Sequence, residues 1–354
     1  MRRAARSLFS KFRVLMLCGI GAGVCVQIST AQNNNFQKDL FAAEQGNVNA
    51  ELRVANAYEF GQGTGSNVRE AVRWYAKAAG SGSTEAAVRY GLMLYQGNGI
   101  DKDVNKAFQW FQRAAVDKAP DAMNNVALMY FRGEGVRRDP VEGAKWMKRA
   151  ADLGFTAAQA HLAVAYWEGV GVQQDRKEAM KLFRQAAKKH DGVASFGLGY
   201  AYDTGAEVTQ DYAQAAKLYR EAAEHGHSEA MNNLGLLYEH GRGVKVDVKQ
   251  ALQLYEQAAN LGSPLAAANL ARLYSSGVLG SKDDLQACAW LVVASREDTR
   301  YVAGVERLRQ SMAPDRWQEV EQAASEKWEE ISKNGVQPLL LGNRPAGEAV
   351  VAKK

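Results

Sequence analysis

From residue 48 to residue 299 the apolar positions fall at i, i+3, i+4 and i+7, the pattern of one buried face on an α-helix. In the stretch 120–133 that face is Ala122, Met123, Val126, Met129 and Tyr130. Each apolar run is short and is followed by glycines, and then by a second run that ends in paired alanines. The pairs recur every 36 residues, at Ala42-Ala43, Ala78-Ala79, Ala114-Ala115, Ala150-Ala151, Ala186-Ala187, Ala222-Ala223 and Ala258-Ala259, and half of one survives at Ala294. Gly61, Gly97, Gly133, Gly169, Gly205, Gly241 and Gly277 keep the same spacing. A fixed period of this length means stacked supersecondary units, each burying its apolar face on its neighbours.

The pattern therefore predicts an all-α protein: an α-solenoid of seven 36-residue helix-turn-helix units at 48–83, 84–119, 120–155, 156–191, 192–227, 228–263 and 264–299. The recurrent glycine closes the first helix in a left-handed conformation, and a second glycine two residues on frees the loop to turn back. Six residues after the first glycine stand Asn67, Asp103, Asp139, Asp175, Asp211, Asp247 and Asp283, expected N-caps of the second helix. Three residues later Glu70, Glu142, Glu178, Gln214, Gln250 and Gln286 are placed to reach back to the cap's own N–H. Gly82, Gly154, Gly226 and Gly262 should close the second helix, where Lys118, His190 and Asp298 stand in the other units. Residues 32–47 resemble a polar half-unit that caps one end, and 300–333 two amphipathic helices that cap the other. Residues 334–354, with Pro338 and Pro345, read as a flexible tail.

Charge alters the picture at the N-terminus. The formal net charge is +5, but Arg2, Arg3, Arg6, Lys11 and Arg13 supply all of it, so the chain from Gln32 onward is neutral. A neutral folded part gives no composition-level case for nucleic acid. The basic start, the 15-residue apolar run Val14 to Ile28 and the small residues of Ser29-Thr30-Ala31 make residues 1–31 an expected secretory signal. The expected location is the bacterial periplasm, with an inner-membrane anchor or full secretion as alternatives. Cys288 is then the single thiol of the exported chain, expected as a small buried residue.

The unit reads Leu-Gly-x-x-Tyr-x-x-Gly-x-Gly-Val, then Asp, then Trp-Tyr-x-x-Ala-Ala-x-x-Gly, and is best seen in Leu234-Gly235, Tyr238, Gly241, Gly243 and Val244. It resembles the Sel1-like repeat, a relative of the tetratricopeptide repeat, over about 48–299. The resemblance implies a right-handed superhelix whose first helices line a concave face. It also implies a scaffold or adaptor role in signalling, secretion, envelope assembly or host interaction. A cysteine-rich branch of that family has been described as binding or hydrolysing β-lactams; its paired cysteines are absent here.

Candidate chemistry is sparse. The repeated Gly-x-Gly lies between helices, not after a strand as a phosphate loop requires. His225 and His227 end a helix without the further ligands a zinc site needs, and are expected as a solvated pair beside helix-terminal carbonyls. Ser195 follows no strand and reads as a packing residue. No enzyme, metal or cofactor is predicted. What the period leaves free are first-helix positions expected to face a groove. One series holds Tyr95, Phe131 and Trp167 in three successive units; others hold Leu92, Leu128 and Tyr200, and Asn124 and Asn232. Aromatics concentrate at interaction hot spots. The expected partner is a protein or extended peptide, with an envelope glycan as the alternative. Packing against neighbouring first helices is the architectural reading of the same rings.

Overall fold

The computed structural model describes residues 33–333, so the expected signal and tail lie outside the described residues. The chain divides into two units, residues 1–139 and 140–354. In the first, a helix through residues 33–44 (α1) precedes α2 (Val48–Phe60), α3 (Val68–Gly80), α4 (Thr84–Gln96), α5 (Val104–Val116) and α6 (Pro120–Arg132). From α2 to α6 each helix packs on the next.

The second unit contains α7 (Pro140–Asp152), α8 (Thr156–Glu168), α9 (Arg176–Ala187), α10 (Gly192–Thr204), α11 (Tyr212–Glu224), α12 (Ser228–His240), α13 (Val248–Asn260), α14 (Pro264–Ser276) and α15 (Asp284–Glu297). A 3-10 turn (Thr299–Tyr301), α16 (Val302–Ser311) and α17 (Pro314–Lys333) complete it. Sequential packing is joined here by contacts of α8 with α10 and α12 with α14, which set first helices side by side. There is no strand among the described residues. The fold is the all-helical solenoid that the period predicts.

The caps form as expected, but with a different closure. Asn67, Asp103, Asp175, Asp211, Asp247 and Asp283 each accept from a backbone N–H in the first turn of the second helix. The cap's own N–H is not taken by the Glu or Gln three residues later. It donates to the carbonyl nine residues back, as in Asn67 to Tyr58, Asp175 to Tyr166 and Asp247 to Tyr238, at 2.8–3.0 Å. The acids instead form i,i+3 ion pairs, Glu70–Arg73, Glu142–Lys145 and Glu178–Lys181. A carbonyl at the frayed end of the first helix needs a donor, and this bond supplies one while locking the loop.

The second glycine also does more than loosen the loop. Gly171 has φ +74°. A Cβ there would lie 2.0 Å from the Pro140 carbonyl oxygen. The loop of one repeat thus rests directly on the first turn of the preceding second helix, and only glycine fits. At the end of the second helix Lys118 and His190 take φ of 63° and 59°, the left-handed conformation that glycine adopts in the other repeats. Asp298 does not, at φ −137°.

At the C-terminal end α17 covers α15 with Val320, Ala324 and Ile331 buried. Two cations cross that contact in opposite directions: Lys327 Nζ lies 4.6 Å above the Trp290 ring, and the Arg296 guanidinium 5.3 Å from Trp328.

Candidate interaction surface

The first helices carry the predicted site residues, and the structure treats them unequally. In the first unit Leu92, Tyr95 and Leu128 are half-buried, while Asn124 and Phe131 are buried. Phe131 is only 4% exposed, so it is a core residue and offers no free ring to a partner. Tyr95 is tied down: its hydroxyl donates to Glu134 at 2.6 Å, receives Arg132 at 3.3 Å, and its ring lies under Lys102. Burial, then the neighbouring Glu134 carboxylate, push its phenol up.

A pairing sixteen residues apart recurs at the same first-helix position in other repeats. Tyr75 lies 2.5 Å from the Glu59 carboxylate, Tyr219 donates to Asp203 at 3.0 Å and Tyr255 to Glu239 at 2.9 Å. Where the second helix carries Phe111 or Phe183 instead, the first-helix position holds Tyr95 or Trp167. A buried hydroxyl requires an acceptor; a buried ring requires apolar cover. Trp167 and Phe183 make the second kind of contact, with centroids 6.3 Å apart. Trp167 thus packs within its own repeat, whereas Tyr95 is held by Arg132 and Glu134 of the next one.

In the second unit the remaining predicted residues do come together. Tyr200 on α10 is 39% exposed and stands edge-on to Trp167 of α8, 6.4 Å away. Phe196, one turn earlier, touches both Tyr200 and Tyr219. Its far side is stacked on His227, at 4.3 Å and 20°. This corrects the solvated reading of the histidine pair. His225 is exposed, but His227 is the N-cap of α12, accepting from Ala230 N–H and set 3.1 Å from Glu229.

Asn232 is buried within a chain of hydrogen bonds that crosses three first helices. Asn269 Nδ2 donates to Asn232 Oδ1 at 2.8 Å, Asn232 Nδ2 to Asn233 Oδ1 at 3.2 Å, and Asn233 Nδ2 to the Tyr219 hydroxyl at 3.2 Å. Tyr219 passes its proton-side bond to Asp203. Beside it Arg272 grips Glu239 with two bonds of 2.6 and 2.7 Å. The two acids respond oppositely. Burial pushes the Asp203 carboxyl up. Burial acts the same way on Glu239, but the Arg272 and Tyr255 hydrogen bonds outweigh it and hold that carboxyl low.

Asn233, Asn269 and the N-cap series Asn47, Ser83, Asp191, His227 and Ser263 were not marked by the sequence pattern as site or cap residues. The 36-residue spacing of those caps was the available signal. Cys288 is buried, and its thiol is pushed up by burial. Among the described residues no group of three or more His, Cys, Asp or Glu side chains could hold a metal ion.

The Sel1 repeat model matches residues 48–83, 84–115, 120–155, 156–191, 192–227, 228–263 and 264–298. The chain belongs to the Sel1 repeat family. The second match stops at residue 115, just before the segment in which Lys118 replaces the closing glycine of its repeat. Among solved structures, a Sel1 repeat protein from Oxalobacter formigenes is 31% identical over 71% of this chain and 100% of its own, with a TM-score of 0.60. A protective antigen present in uropathogenic Escherichia coli strains is 26% identical over 85% of this chain and 72% of its own, with a TM-score of 0.56. No curated protein matches the chain. As a Sel1 repeat chain it has the fold of a protein-interaction scaffold.

Proposed function

We propose that this Sel1 repeat chain is an exported, non-catalytic scaffold that binds a protein or an extended peptide through the first-helix faces of its repeats. The observation that carries the reading is the α8–α14 surface. There Tyr200 is exposed next to Trp167, and the half-buried Asn233 and Asn269 stand on the following first helices, held by hydrogen bonds to Tyr219 and to the buried Asn232. A rigid, pre-formed surface of ring and amide groups limits the ordering entropy lost on association. The non-catalytic reading is supported by where the shifted ionisable groups sit. Asp203, Glu239, Tyr75, Tyr219 and Tyr255 are each engaged in side-chain pairing between helices of a repeat. Export rests on residues 1–31.

The test is partner capture from envelope extract with the wild type and with Tyr200→Ala, a change at an exposed position that leaves the core intact. The expected result is loss of specific partners by the variant, on the order of tenfold in yield, as for an aromatic hot spot. Equal recovery of the same partners by both proteins would remove the surface from consideration. An envelope polysaccharide or peptidoglycan is the rival occupant of the same rings. Binding of the purified protein to a glycan array, lost in Tyr200→Ala, would favour it. For export, N-terminal sequencing of protein recovered from the periplasm is expected to begin at or near Gln32.

A further inference from the structure

Four bases stand in a row on α9. Lys177, Lys181, Arg184 and Lys188 are spaced i, i+4, i+7 and i+11, and all four are exposed. That spacing keeps side chains on one helix face over about 16 Å. Lys188 belongs to the row because, as the C-cap, it keeps right-handed helical dihedrals. Only Lys181 has a carboxylate partner, Glu178 at 3.1 Å. Lys177, Arg184 and Lys188 have none within ion-pair distance among the described residues.

The period does not require this row. At the equivalent positions Asp152 ends the row on α7 and Glu224 the row on α11, while α13 retains a single base, Lys249. Packing cannot demand it either, since the buried face of α9 is Ala179, Met180, Leu182, Phe183 and Ala186.

The matching surface is on α17. Asp315, Glu319, Gln322, Glu326 and Glu330 follow i, i+4, i+7, i+11 and i+15, and all are exposed. The opposite face of the helix is buried. At 20 residues α17 is longer than any repeat helix, so its acidic row outspans the basic one. Within one chain the two rows do not meet: α17 rests on α13 and α15, and no ion pair joins it to α9 among the described residues.

We propose that the α9 row is a docking surface for α17 of a second copy of this chain. The two rows share one spacing, so a side-by-side helix pairing sets each base opposite an acid or Gln322. Because the two surfaces differ, the contact is heterologous and joins copies head to tail. It is held by solvent-exposed charge, so it forms quickly, dissociates quickly and weakens with salt.

The experiment is sedimentation equilibrium on the full chain over a range of concentrations at low and high ionic strength. The expected result is a weight-average mass that climbs above that of one chain at low salt, with the dissociation constant weakening by about tenfold or more when the Debye length is shortened to a few ångströms. Two reversed proteins provide the control for misfolding: K177E/K181E/R184E/K188E and D315K/E319K/E326K/E330K. Each alone should sediment as a single chain. Mixed in equal amounts they should associate again, because the unaltered basic α9 of one meets the unaltered acidic α17 of the other, and the two reversed rows complement each other as well. A wild type that stays monomeric at low salt overturns the proposal, as does a mixture that fails to associate while both variants keep wild-type helicity and melting. Binding of the wild type to phosphatidylglycerol vesicles without self-association would also overturn it, assigning the row to an anionic surface.

Discussion

Asp203 and Glu239 stand 36 residues apart on equivalent helices, and each accepts a hydrogen bond from a buried tyrosine, yet their carboxyls shift in opposite directions. The cause lies 33 residues further on: Arg272 grips Glu239, whereas Leu236 occupies the same place relative to Asp203. The linkage signs follow. A raised acid favours the folded state below its unfolded value, and that contribution is lost as pH rises through the folded pKa. A lowered acid stabilises above its unfolded value, and its contribution is lost as pH falls through the folded pKa. Side-chain carboxyl NMR titration should therefore find Asp203 above the ordinary aspartate range and Glu239 below the ordinary glutamate range. Leu236→Arg should bring Asp203 down towards the behaviour of Glu239; an unmoved Asp203 would show that the arginine is not what separates them. Gly171 gives a second residue-scale expectation. Gly171→Ala combines a left-handed φ with a Cβ driven into the Pro140 carbonyl, and should cost about 3 kcal/mol in chemical denaturation.

At the scale of elements, a few side chains hold the N-terminal end of the first unit and the C-terminal end of the second. In the first unit Lys77 of α3 lies 3.1 Å from Glu51 of α2 and donates to the Ala43 carbonyl of α1 at 2.8 Å. Glu51 is fully buried and its oxygens have no aligned hydrogen bond, so the ammonium is its main compensation. Lys77→Met should destabilise the first unit by about 3 kcal/mol, because removing one partner orphans a buried charge. Glu51→Gln in the same background should recover part of the loss. In the second unit the Trp290–Lys327 and Trp328–Arg296 contacts secure α17. Their repeat analogues are internal to one helix, as with Arg149 over Trp146 and Arg113 over Trp110. The terminal helix thus supplies across an interface the cation that other repeats find three residues along the same helix. Ile331→Ala, at a fully buried α17 position, should cost about 2–4 kcal/mol and expose α17 amides to hydrogen exchange first.

For the whole molecule, stability should be local, since each repeat contacts chiefly its neighbours. Tyr255→Phe, which removes the hydroxyl from Glu239, is expected to lower exchange protection in α12–α14 and leave α2–α4 unchanged; a uniform loss would mean the chain unfolds as one body. The sequence by itself determined the fold to a large extent. Period, caps and helix-closing glycines are local or nearest-neighbour signals, so seven copies repeat them legibly, and the second-helix caps at Asn67 and its successors form where the spacing put them. Other features depend on which side chain meets which across helices, and only the tertiary structure decided these. It turned the cap's N–H toward the tyrosine carbonyl and away from Glu70. It made Gly171 a point of contact, and it buried Phe131 while leaving Tyr200 in solvent. It also linked the Asn232-Asn233 pair to Asn269 one repeat on and to Tyr219. Exposure in a stacked fold is set by the neighbouring repeat's side chains, and a 36-residue spacing marks equivalent positions without saying what covers each one.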